Sequence, residues 1–136
     1  MDLINSLKIA AAGLRAQSSR MRVISENLAN ADSTARTINE EPYRRQITTF
    51  VSELDRNIGV NIVRPGRTVE DKSAFGSRYE PGHPAADDKG YVQTPNVNPL
   101  IETMDMRQAQ RSYEANLNLI TSTRRMLMRT IDILRA

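Results

Sequence analysis

The sequence predicts a mainly α protein: long N- and C-terminal helices packed as a coiled-coil-like pair, with a small β-hairpin and an extended Pro-rich loop between them. Three observations lead there. Apolar residues recur at heptad spacing through the first 28 residues and again through the last three dozen. The middle switches to a period of two, and four of the six prolines fall between Glu80 and Pro99. Aromatics are scarce, with four Tyr, two Phe and no Trp, so a core must come from Leu, Ile, Val, Met and Ala, which suits helix-on-helix packing. At 136 residues the chain suffices for one modest core. The expected organisation is one structural unit: residues 1–30 as a first helix, 31–99 as a hairpin and loop, 100–136 as a second helix.

In the first segment Leu7, Leu14, Met21 and Leu28 recur every seven residues, and Leu3, Ala10, Gln17 and Ile24 each stand four residues before one of them. That is an a/d seam with Gln17 as its one polar member. Ile9, Ala16 and Val23 form a second stripe. The seam stops in "SENLANADST" (25–34), where Asn30 is expected to cap the helix in a left-handed conformation and Asp32, Ser33 and Thr34 to fold the chain over its end.

Next, "YRRQITTFVSEL" alternates Tyr43, Arg45, Ile47, Thr49 and Val51 against polar partners, the period of a half-buried strand, and "GVNIVR" (59–64) is a second short strand. After "RPGR", the stretches "EPGHPAADDKG" and "TPNVNP" read as an extended loop pinned by proline. Pro99 then opens the last helix. There Tyr113, Leu117, Ile120, Leu127, Ile131 and Leu134 make a seam broken by Arg124, with Leu119, Met126 and Ile133 as a second stripe. Two helices packed only on each other would leave both second stripes wet, so neighbouring subunits or the middle segment must cover them.

Basic residues exceed acidic ones by three, and sixteen of the nineteen are Arg. Net charge is +2 over residues 1–28, −1 over 29–99 and +2 over 100–136. Such a scattered surplus, without aromatic interleaving, does not make a nucleic-acid footprint. Cysteine is absent, which excludes disulfides and thiolate metal sites. Asp2 stands where a signal peptide has its basic region, and Lys8 and Arg15 interrupt the apolar run, so no Sec-type signal is expected.

Catalysis finds no footing. His83 is the only histidine and sits in "PGHP"; Glu80, Asp87 and Asp88 near it match no metal-loop spacing. No Gly-rich phosphate cradle, nucleophile elbow or pocketed acid is evident. The expectation is a non-enzyme with no cofactor, no metal, no nucleic-acid partner and no small-molecule substrate.

Several stretches carry a resemblance. "NLANADST", with Asn27, Ala29, Asn30 and Ser33–Thr34, resembles the N-x-A-N-x-x-T signature near the N-terminus of flagellar rod and hook proteins. "PYRRQ" (42–46), "YEPGHPAAD" with "GYVQTPNVNP" (79–99), "RSYEANL" and "TRRMLMRTIDILRA" look like the proximal-rod members of that axial family, over essentially the whole chain. The resemblance implies a structural subunit of the bacterial flagellar basal body, in the periplasmic rod, exported through the flagellar type III system without a cleaved signal. Implied partners are other copies of itself, neighbouring proximal and distal rod proteins, and an inner-membrane ring or export-gate adaptor. Under it, Leu7, Leu14, Met21, Leu28, Asn27, Asn30, Tyr113, Leu117, Ile120, Leu127, Ile131 and Leu134 are candidate assembly residues, and Tyr79, Pro81, His83, Pro84, Asn96 and Asn98 candidate loop contacts. The rival readings are a soluble coiled-coil adaptor, which leaves the Pro-pinned middle unexplained, and a peptidoglycan-active enzyme, which lacks an acid and a pocket.

Overall fold

The structure is a computed structural model and describes residues 3–135. The elements run α1 (Leu3–Ala29), β1 (Gln46–Asp55), β2 (Val60–Glu70), β3 (Gly76–Tyr79), β4 (Tyr91–Thr94) and α2 (Pro99–Arg135). Met1, Asp2 and Ala136, which the expected helix spans include, lie outside the described residues.

The fold is not the mainly α one expected. It is 48% helical, and its middle holds two antiparallel sheets of two strands each, β1-β2 and β3-β4. Proline and glycine account for the difference. A two-stranded sheet leaves every strand with one free edge, so a residue lacking an N–H is tolerated there. β2 therefore continues through Pro65 and Gly66 to Glu70 instead of ending at Arg64.

Nor is the Pro-rich segment an extended loop. It closes a second hairpin in which Gly76 pairs with Thr94 and Tyr79 with Tyr91. Glu80 N–H donates to Gly90 O (2.8 Å), and Asp87 Oδ1 accepts from Lys89 and Tyr91 N–H (2.9 and 2.8 Å). Gly90 sits at φ +83°, and a Cβ there would stand 2.9 Å from the Tyr79 ring, so this corner requires glycine. The Tyr79 and Tyr91 rings meet edge to face, 5.3 Å apart.

The chain folds as two compact units. The first takes α1 up to Met21, Thr49–Arg67 and α2 from Arg107; the second takes Arg22–Thr48 and Thr68–Met106. In the first, the helices lie antiparallel: Gly13 faces Asn116, and Arg20 Nη2 donates to Gln108 Oε1 (3.4 Å). Their contact is not a coiled-coil seam of leucines. A Cβ on Gly13 would stand 2.8 Å from Asn116 Oδ1, and the fully buried side chains are Ala10, Ala12, Ala16, Ala109 and Thr123. Small residues let the helix backbones approach closely, which turns the larger ones to the flanks. The buried face of α1 is thus displaced by about one residue step, ~100°, from the predicted seam. The first hairpin supplies Ile62 to the core of this unit. In the second unit Val23, Ile24, Ala85 and Val92 are buried, each full burial of a Val or Ile contributing about 1.5–3 kcal/mol.

Asn98 and Pro99 start α2. Asn98 Oδ1 accepts from Leu100 and Ile101 N–H (3.0 and 3.4 Å), and Pro99 fills the first helical position.

Candidate functional site

The second unit is organised around Asn27, two residues before the end of α1. Its amide is saturated: Nδ2 donates to Gln46 O (2.8 Å) and Glu102 Oε2 (3.0 Å), while Oδ1 accepts from Tyr43 OH (2.9 Å) and Gln46 N–H (2.9 Å). Both Asn27 and Glu102 are buried. A buried carboxylate needs a cation, and Arg45 Nε supplies it at 2.6 Å from Glu102 Oε1. The rest of the guanidinium reaches Asp71 (3.5 Å) and Asp105 (3.6 Å).

Asn96 extends the network. Its Oδ1 accepts from Arg45 N–H (2.7 Å), and its Nδ2 donates to Asp71 O (3.0 Å) and Ser73 Oγ (2.9 Å). One clasp thereby ties the end of α1, the entry to β1, the turn after β2, the approach to α2 and the first turn of α2.

The charges follow from this geometry. Burial works against the Arg45 charge, but the hydrogen bond and charge of Glu102, seconded by Asp71, outweigh it and hold the pKa above the usual arginine value. Burial raises the Tyr43 phenol, helped by the negative charges of Glu26 and Glu102. Asp71 is lowered by hydrogen bonds from Ser73 and then by Arg45.

The Asn-rich corner works by a different device from the one expected. Among the described residues no non-glycine has positive φ, so Asn30 is not a left-handed cap. Instead Asn30 Nδ2 donates to Glu26 O (2.8 Å), and Ser33 N–H and Oγ both donate to Asn30 O (3.1 and 2.8 Å). Thr34 then meets His83. Ala85 N–H donates to His83 Nδ1 (3.0 Å), which puts the ring proton of the neutral imidazole on Nε2, 3.1 Å from Thr34 Oγ1. His83 therefore joins the 25–34 corner to the second hairpin, and among the described residues no carboxylate bonds to it.

The other candidate residues fall into four groups. Leu7, Leu14, Met21, Leu28, Tyr113, Ile120 and Leu127 are half-buried. Leu117, Ile131 and Leu134 are exposed, Leu134 at 81%. Tyr79, Pro81 and Pro84 are exposed on the second hairpin. Asn96 and Asn98 serve their own chain, as clasp member and helix cap. Sequence reasoning does not reveal Arg45, Glu102 and Tyr43 as a site. The available signal was Glu102 standing seven residues before Ala109, in register with Asn116 and Thr123, on a stripe of small and polar residues.

On α2 six of the exposed apolar residues form two rows on opposite flanks: Leu117, Met128 and Ile131 on one, Leu119, Met126 and Ile133 on the other. None of the helices is long and apolar enough, over the described residues, to cross a membrane.

Comparison with known proteins identifies the family. Residues 7–36 match the family described as "Flagella basal body rod protein", and residues 88–133 match "Flagellar basal body rod FlgEFG protein C-terminal". The flagellar basal-body rod protein FlgC of Agrobacterium fabrum is 52% identical over 129 residues, 95% of this chain and 93% of that one. The chain belongs to the FlgC family of flagellar basal-body rod proteins. The FlgC of Bacillus subtilis is 40% identical over 98% of this chain and 99% of its own, and that of Salmonella typhimurium 35% identical over 98% of each. FlgC proteins are structural rod components and not enzymes, and their place is the flagellar basal body. The match over residues 7–36 takes in Asn27, Asn30 and Thr34, and that over 88–133 takes in Asn96, Asn98 and Glu102, so members of the clasp come from both matched segments.

Proposed function

We propose that this chain is a subunit of the proximal part of the rod, built with copies of itself and with neighbouring proximal and distal rod proteins into a helical tube that transmits torque and encloses the export channel. An adaptor at the inner-membrane ring is the partner at its base, and the chain reaches the periplasm unfolded through the flagellar type III system. The observation that carries this is the pair of exposed apolar rows on opposite flanks of α2. One neighbour covers one row, so two rows require at least two neighbours, and a contact repeated without closure generates an open filament. In this reading Leu117, Ile131 and Leu134 dock outward. Leu7, Leu14, Met21, Leu28, Tyr113, Ile120 and Leu127 pack within and between subunits. Tyr79, Pro81 and Pro84 face partners from the second hairpin.

The test is mass spectrometry of basal bodies extracted with detergent and salt, with the chain's abundance compared to that of an inner-ring protein. Retention in fixed proportion to the ring is expected. Absence, or loss in the salt wash, would favour a soluble adaptor.

A further inference from the structure

The two compact units differ in charge far more than consecutive stretches of sequence do. The first holds twelve Lys and Arg against five Asp and Glu, +7; the second holds seven against eleven, −4; together they make the +3 of the chain. Much of the positive charge lies along one line. Arg107, Arg111, Asn118, Ser122, Arg125 and Arg129 follow one another at spacings of four, seven, four, three and four, a single exposed face of α2. That face points away from buried Ala109 and Thr123, and it runs between the two apolar rows. The four arginines form no ion pair among the described residues. An unpaired basic ridge between apolar rails fits a groove of the opposite sign with apolar walls.

The second unit has such a groove. A cavity of about 220 Å³ is lined by Ile38, Glu40, Ala85, Asp87, Tyr91 and Gln93 among others. Its carboxylates are held in place: Glu40 Oε2 accepts from Arg36 N–H (3.2 Å), and Asp87 Oδ1 takes the two backbone bonds that shape the hairpin corner. Ile38 and Tyr91 are exposed beside them. The volume suits one or two long side chains.

We propose that the occupant of this groove is a second copy of this chain, entering with the C-terminal part of its arginine ridge, Arg125 and Arg129, flanked by Met126 and Met128. The contact joins different surfaces of the two copies, so it is head-to-tail and leaves one ridge and one groove free. It rests on the rod-subunit reading and adds to it a polarity and a specific pairing of surfaces.

The experiment uses the full chain in two charge-reversed forms, Arg125→Glu/Arg129→Glu and Glu40→Lys/Gln93→Lys, followed by sedimentation velocity at low and high salt. All four positions lie outside the clasp, and far-ultraviolet circular dichroism checks that both forms fold. Wild type is expected to self-associate more weakly as salt rises, each variant to lose about tenfold or more in self-association, and an equimolar mixture of the two to associate again. Because the chain has no cysteine, single cysteines at Arg129 and Gln93 in separate chains supply a second readout, an interchain disulfide in the mixture. A mixture that stays monomeric, or a wild type indifferent to the ridge substitutions, overturns the proposal. So does ridge-dependent binding to anionic vesicles or to another rod protein without self-association. Wild-type retention in basal bodies is measured separately, so a failure here is distinguishable from a failure of the rod reading.

Discussion

Replacing Asn27 by aspartate tests the clasp with a change of one atom's chemistry and almost none of shape. The substitution turns Nδ2 into an oxygen. It removes the donor to Gln46 O (2.8 Å) and the donor to the Glu102 carboxylate (3.0 Å), and it sets two carboxylate oxygens facing each other in a buried site. A neutral hydrogen bond contributes about 1 kcal/mol and one to a charged group about 1.5–3 kcal/mol. Repulsion between the carboxylates adds to that loss, so the cost is about 3–5 kcal/mol. Against a total stability of about 5–15 kcal/mol, such a variant unfolds at a much lower denaturant concentration. The companion Asn27→Asp/Glu102→Gln puts the amide on the other side of the same contact. The introduced glutamine then donates through its Nε2 to the introduced aspartate, and its Oε1 still accepts from Arg45. Urea unfolding of the free subunit should show the single change costing several kcal/mol and the double variant recovering about half of it, a coupling within the range for contacting residues. A single-variant cost below about 1 kcal/mol, or a double variant no better than the single, would refute the argument that this pair holds the clasp.

Two further outcomes follow from the geometry. Gly13→Val drives a branched side chain into Asn116 where the helices of the first unit meet, and should cost about 1–3 kcal/mol, read as a lower thermal midpoint, whereas Ser18→Val on the exposed face of α1 should cost a few tenths. Stability should also fall at both pH extremes, with opposite signs of linkage. Asp71 is lowered below 3.8, so its contribution is complete above that value and is lost as pH falls through the folded pKa. Tyr43 is raised above 10.0, so its contribution is complete below that value and disappears as pH rises through the folded pKa. Unfolding midpoints measured across pH for wild type, Asp71→Asn and Tyr43→Phe check both limbs: each variant should flatten its own limb and leave the other unchanged.

The long helices are legible in the sequence because heptad spacing over four turns or more has no other economical reading, and Pro99 is the first residue of α2. In the middle the first hairpin is legible from its period of two, but the full length of β2 and the second hairpin are not, because proline in a sequence signals irregular chain, whereas a two-stranded sheet offers it an edge. The clasp is half legible. Asn27 and the "PYRRQ" segment stand out as motif residues, but nothing local says that Glu102, 75 residues on, will accept from Asn27. Buried polar networks join residues through space, and a single sequence records only that each member is polar.

The displaced helix face decides which side chains the subunit leaves uncovered. Had Leu7, Leu14, Leu117 and Leu134 met across the pair, the large side chains would have been used up inside one subunit and the outside left polar. With Ala12, Ala16 and Ala109 buried and Gly13 against Asn116, a small amount of chain closes the pair at short range. Leu119, Met126 and Ile133 then remain outside on one flank, and Leu117, Met128 and Ile131 on the other. A thin seam stabilises the isolated subunit less than a leucine seam would. It also leaves the residues with most apolar area uncovered, so that in the assembly proposed above stability rises when copies meet. In the proposed contact the same choice serves the arginine ridge, since charges between two apolar rails are desolvated only when a matching surface closes over them.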